Sequence, residues 1–101
     1  MSVMIVRSKV KPGKGAEVEE AARKMFAAIE AEQPDGVRYA SCKLADGETF
    51  LAVLELRNAP ENPLAAIPAF TEFQAGLKDW LAGSPVPEFV EVVGSYRLFG
   101  A

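Results

Sequence analysis

The sequence contains no histidine and a single cysteine, Cys42. Without histidine, the chain lacks the side chain that most readily moves a proton near neutral pH and the commonest metal ligand. One cysteine cannot close an internal disulfide, which suits a reducing, cytoplasmic setting. A basic excess is missing too. Eleven Lys and Arg stand against fourteen Asp and Glu, a net charge of −3, and this argues against a nucleic-acid partner. No stretch approaches the ~18 consecutive apolar residues of a membrane span, and the N-terminus has no signal-peptide pattern. No carboxylate or cysteine cluster has metal-ligand spacing. Lys11-Pro12-Gly13-Lys14-Gly15 lacks the spacing of a phosphate loop. Neither a metal nor a cofactor is therefore expected.

What is present is an ordinary globular composition, half hydrophobic and a quarter charged over 101 residues. That length makes one domain, 1–101, with a modest core. Val3 to Val10 alternates as a strand and ends at Pro12-Gly13. From about Ala16 to Glu32, Val18, Ala22, Met25, Phe26 and Ile29 recur at helical spacing, until Pro34-Asp35-Gly36 stops the helix. Val37 to Leu44 and Thr49 to Arg57 form a hairpin around Asp46-Gly47, a tight-turn pair. A loop with two prolines, Asn58 to Pro63, leads to a second helix that starts near Leu64 or Pro68 and ends near Leu81. If it starts at Pro68, residues 64–67 are a separate short turn. Phe70, Phe73, Leu77, Trp80 and Leu81 make its apolar stripe. Phe89 to Leu98 reads as the last strand, with Gly94 a bulge position.

This order, βαββαβ, predicts a ferredoxin-like α+β fold: an antiparallel sheet in the order 4-1-3-2 with both helices on one face. Alternation assigns Met4, Val6, Ala40, Cys42, Ala52, Leu54, Val92 and Tyr96 to the helix side. It leaves Val3, Ile5, Val37, Tyr39, Leu51, Val53, Phe89 and Val93 on the other. Such an apolar open face calls for a partner, and a second copy stacked sheet to sheet would cover it. On that face Arg7, in the central strand, is placed to bridge Glu55 and Glu91.

Val10-Lys11-Pro12-Gly13-Lys14 after a first strand, followed by an amphipathic helix, resembles the antibiotic biosynthesis monooxygenase family of dimeric α/β barrels. So do Ile67-Pro68-Ala69-Phe70-Thr71-Glu72-Phe73-Gln74, the run Leu77 to Gly83 and the valine-rich end. The resemblance implies a homodimer paired through its open sheet faces, with a small hydrophobic or aromatic ligand held between sheet and helices. It also implies an activity seen in part of the family, oxygenation of quinol-like or polyketide aromatics without metal or flavin. Members that degrade haem use a histidine in the second helix, where this chain has Ala69, so haem chemistry of that kind is not expected.

Cofactor-free oxygenation asks for donors around a developing oxyanion in a dry pocket. Tyr96 and Asn62 are the candidates for that catalytic role. Arg38, Trp80, Phe70 and Tyr39 are candidates for holding the substrate, Arg38 by charge and the aromatics by stacking or a phenol hydrogen bond. Each also has a plain structural role available: a half-buried tyrosine, a core tryptophan, an arginine snorkelling at a strand start, a capping asparagine. Asn58 is a second loop amide of the same kind. Cys42 has no neighbouring base to activate it as a nucleophile. A non-catalytic ligand-binding or stress-related module of the same fold is the alternative function, and an isomerase or lyase on a small acidic metabolite is a third.

Overall fold

The computed structural model describes residues 2–98. Its elements are β1 (Ser2–Lys9), α1 (Gly15–Glu32), β2 (Val37–Lys43), β3 (Thr49–Leu56), a 3-10 turn (Pro63–Ala66), α2 (Pro68–Trp80) and β4 (Val86–Val90). All neighbouring strands are antiparallel, in the order β2-β3-β1-β4. That is the expected 4-1-3-2 sheet read from its other edge. Both helices lie on one face: Val18, Ala22 and Met25 of α1 and Phe73 of α2 bury against Val10 and Phe50. Leu64, fully buried, joins Leu54 and Ile67 in a second cluster under the 3-10 turn.

Local chemistry explains the joints. Gly47 adopts a left-handed φ of 73° in the β2–β3 turn, a conformation glycine reaches without a steric penalty. Asp46 closes that turn, accepting from the N–H groups of Glu48 (2.9 Å) and Thr49 (2.8 Å) and from Thr49 Oγ1 (2.6 Å). These donors hold its carboxyl below the usual range. The first residue of α1 sits against the same turn, where a Cβ on Gly15 would collide with the Gly47 carbonyl. α1 ends at Gln33, itself left-handed, and just beyond it Asp35 takes a two-pronged bond from Arg57 at 3.1 and 3.2 Å. α2 does begin at Pro68, a first-turn position that suits proline.

Three expectations about faces are corrected. Opposed residues in an antiparallel pair share a face, and Tyr39 opposes Leu54, which opposes Met4. Val37, Tyr39, Ser41 and Lys43 therefore face the helices, while Arg38, Ala40 and Cys42 lie on the open face. The hairpin decides this: the turn pairs Lys43 with Phe50, and the parity of β2 follows from that pair. Second, β4 runs from Val86 to Val90 rather than from 89 to 98. Its ladder ends where Val90 opposes Val3, because β1 offers only Ser2 beyond that point. Pro87 is tolerated because β4 is an edge strand, where a missing donor need not break a ladder. Phe89 accordingly turns to the helix side, opposite Met4. Residues 91–98, with Gly94 among them, lie outside the sheet. Third, Arg7 does not bridge two acids. It opposes Leu51 and Val86, Glu55 pairs with Arg38 at 3.6 Å, and Glu91 follows the end of β4.

Among the described residues no helix is long and apolar enough to cross a membrane. Nor do they bring together three or more His, Cys, Asp or Glu side chains able to hold a metal ion.

Candidate functional site

The sheet's helix face is uneven. Ser8, Ser41 and Ala52 are small where Met4, Phe50 and Leu54 are large, so the floor drops in the middle. Phe70, Phe73 and Leu77 of α2 roof the gap, leaving a cavity of about 190 Å³. A cavity of about 150 Å³ lined by apolar side chains accommodates benzene, so the space here fits one aromatic ring.

No charged side chain lines the cavity; its polar members are Ser8, Tyr39, Ser41, Asn62 and Gln74. Tyr39 is fixed by aromatic neighbours, tilted at 33° against Phe26 (5.0 Å between ring centres) and edge-on to Phe70 (6.1 Å, 75°). Burial pushes its phenol up to about 12. The hydroxyl therefore stays protonated at neutral pH and acts as a hydrogen-bond donor, not as a base. Asn62 caps the 3-10 turn: its Oδ1 accepts from the Leu64 N–H at 3.0 Å. That bond fixes the amide's orientation and commits its acceptor, which leaves the Nδ2 donors for other work. The site so built has two neutral donors held in place by their neighbours, Tyr39 of β2 and Asn62 of the loop before α2, with Ser8, Ser41 and Gln74 as further polar groups in mostly apolar walls. It can hold a flat ring and hydrogen-bond an oxygen on it.

The structure brings Tyr39, Asn62 and Phe70 together around this space. The other three candidates lie elsewhere. Trp80 is half-buried and packs on Phe73 at 6.2 Å, outside the cavity lining. Arg38 is on the open face beside Glu55. Tyr96 lies past the end of β4 and is 82% exposed, with the Arg97 guanidinium 5.2 Å from its ring centre. Ser8, Ser41 and Gln74 are cavity residues that motif reading does not reveal. Ser8 continues the helix-facing alternation of β1, Ser41 joins it only once the register of β2 is known, and Gln74 lies one residue past Phe73 on α2.

No family model and no curated protein matches the chain. Solved structures do. An antibiotic biosynthesis monooxygenase of Nitrosomonas europaea, described as putative, superposes with a TM-score of 0.75 at 20% identity, covering 93% of this chain and all of that one. A protein of the same description from Caulobacter crescentus CB15 is 26% identical, with a TM-score of 0.69 over 92% of this chain and 90% of its own. A conserved protein from Methanosarcina mazei Go1 matches at 0.72 and 16% identity, over 89% and 91%. Over nearly its whole length the chain thus resembles, and shares the α+β ferredoxin-like fold of, structures described as antibiotic biosynthesis monooxygenases.

Proposed function

We propose that the protein binds a single-ring phenol or quinol in the cavity between sheet and helices and oxygenates it without a cofactor, working as a homodimer. The observation that carries this reading is the uncharged, apolar cavity with Tyr39 and Asn62 as its fixed neutral donors. Donors of this kind stabilise an oxyanion most where water and competing charge are excluded. The fold shared with the monooxygenase-like structures supports the reaction type.

The reaction needs no outside reductant. A phenol with a free para position and one O2 give a para-quinone and one water. One oxygen atom replaces the para hydrogen and the other leaves as water, with the phenol supplying all four electrons. The cavity contains no carboxylate, amine or imidazole to take the phenol proton. The substrate must therefore be acidic enough to enter as its anion, and the Tyr39 hydroxyl and Asn62 amide then hold the charged oxygen.

Oxygen uptake with a panel of acidic single-ring phenols that have a free para position tests this. The expected result is quinone formed in equal amount to O2 consumed. Tyr39→Phe should slow it by about 100-fold, the lower end of the range for losing one oxyanion donor. Uptake no faster than in buffer would reject the enzyme reading.

One observation favours the second reading, a non-catalytic binding module. A cavity without an ionisable base is equally suited to holding a neutral aromatic unchanged. Ligand binding without oxygen consumption would decide for it.

The dimer is proposed from what the protomer leaves uncovered. Ile5, Leu51 and Val53 sit on a face that no helix covers, and beyond it Val92, Val93, Tyr96 and Leu98 are 50 to 99% exposed. A single chain seldom leaves so much contiguous apolar surface in water.

A further inference from the structure

The cavity does not end at its walls. Gln74, Leu77, Leu81 and Pro85 line it and also line a wider recess of about 540 Å³ on the outer side, completed by Lys78, Gly83 and Ser84. The two compartments differ in charge. The inner one has no charged side chain, whereas the recess has one, Lys78. Lys78 enters none of the ion pairs formed among the described residues. The border the two compartments share is a neck of Leu77, Leu81 and Pro85 with Gln74 beside them, mostly apolar and so better suited to methylene groups than to charged ones.

We infer that the ligand is amphipathic: one aromatic ring seated in the cavity, a short methylene spacer through the neck, and an anionic group in the recess beside Lys78. This rests on the reading of the cavity as an aromatic site and adds the chemical class of the ligand's other end. The ring fills the 190 Å³ space, so a longer substituent must reach beyond it, and the recess across the neck is adjacent space to receive it. A carboxylate there meets one uncompensated cation, and a neutral group gains nothing from it.

A lysine in the last turn of a helix also complements the helix dipole, so the experiment must separate that role from ligand recognition. The probes are 3-(4-hydroxyphenyl)propanoate and its methyl ester, which share ring and spacer and differ in charge. Their blocked para position keeps them from being turned over. Binding is followed by NMR titration at low salt with the wild type, Lys78→Glu and Lys24→Glu. The last makes the same charge change at an exposed α1 position outside both compartments.

The expected result is an acid that binds about threefold tighter than the ester, in the range of a solvent-exposed ion pair. Lys78→Glu should abolish that preference and Lys24→Glu should keep it. Raising the salt to 0.5 M should shrink it, since exposed charges are then screened within a few ångströms. An ester that binds as tightly as the acid, or a preference that survives Lys78→Glu, overturns the inference and leaves the aromatic site standing. Failure of both probes to bind overturns the two together.

Discussion

The two edges of the sheet both carry valine and an aromatic residue and are treated in opposite ways. At the β2 edge, Tyr39 packs under Phe26 of α1 and Phe70 of α2, and Val37 joins the Leu54–Leu64 cluster. At the β4 edge every residue from Val86 to Val90 is exposed, including Phe89 at 76%, although Phe89 points to the helix side. The helices are positioned over β2, β3 and β1 and do not reach β4. The same residue types thus stabilise the protomer at one edge and stay in solvent at the other. Burial, not hydrophobicity, decides which role a valine or phenylalanine plays.

The largest test of this contrast is on the open face. Val53→Glu places a charge between Ile5 and Ala40, and within a stacked interface an unpaired, fully desolvated carboxylate costs several kcal/mol. Sedimentation equilibrium at micromolar concentration should show the wild type at twice the mass of one chain and the variant as a monomer. A wild-type monomer would end the dimer proposal. Next in size is a matched pair of truncations. Leu64→Ala, at a fully buried position, should lose about 2–5 kcal/mol in urea unfolding. Val93→Ala, at a 99% exposed position, should change protomer stability by less than about 0.5 kcal/mol. If Val93→Ala also weakens the dimer, the tail takes part in assembly.

The smallest effect is electrostatic and belongs to surface carboxylates on the α1 and β2–β3 side of the molecule. Asp46, Asp35 and Glu19 all have carboxyls held below their ordinary values, by the Thr49 hydroxyl, the Arg57 guanidinium and the Lys43 ammonium in turn. A carboxyl whose folded pKa is depressed adds stability above its unfolded value, and that part is lost as pH falls through the folded value. Thermal stability should therefore be level from neutral pH to about pH 5 and decline below about pH 4. Asp46→Asn should flatten the decline. An unchanged acid limb would show that the turn's hydrogen bonds do not depend on the charge.

Much of this architecture was legible in the residues. Apolar alternation located β1 and β3 on the correct faces, and Asp46-Gly47 located the turn between β2 and β3. The faces of β2 were not legible, because Val37 and Tyr39 are as apolar as Ala40 and Cys42. Only the Lys43–Phe50 pairing across the turn distinguishes them. That one step carries Tyr39 onto the cavity and Arg38 away from it. The start of β4 was hidden by Pro85 and Pro87, which read as loop. Its end was hidden by the valines after it, whose alternation continues although β1 does not. Tyr96 was drawn into the helix-facing set by that continuation. Asn62 and Phe70 needed no register, since a loop cap and a helical stripe place them from local spacing alone.

Pro87 also bears on how copies of this chain can associate. A strand with a bare outer edge is a template on which further strands add without limit, and such growth is open-ended. Proline in β4 removes a donor that the next strand would use, so edge-to-edge growth from that side lacks part of its ladder. In the proposed dimer the flat of the sheet, with Ile5, Leu51 and Val53, is stacked on its own copy about a twofold axis. A contact that uses the same face on both copies closes at two, unlike growth from strand edge to strand edge.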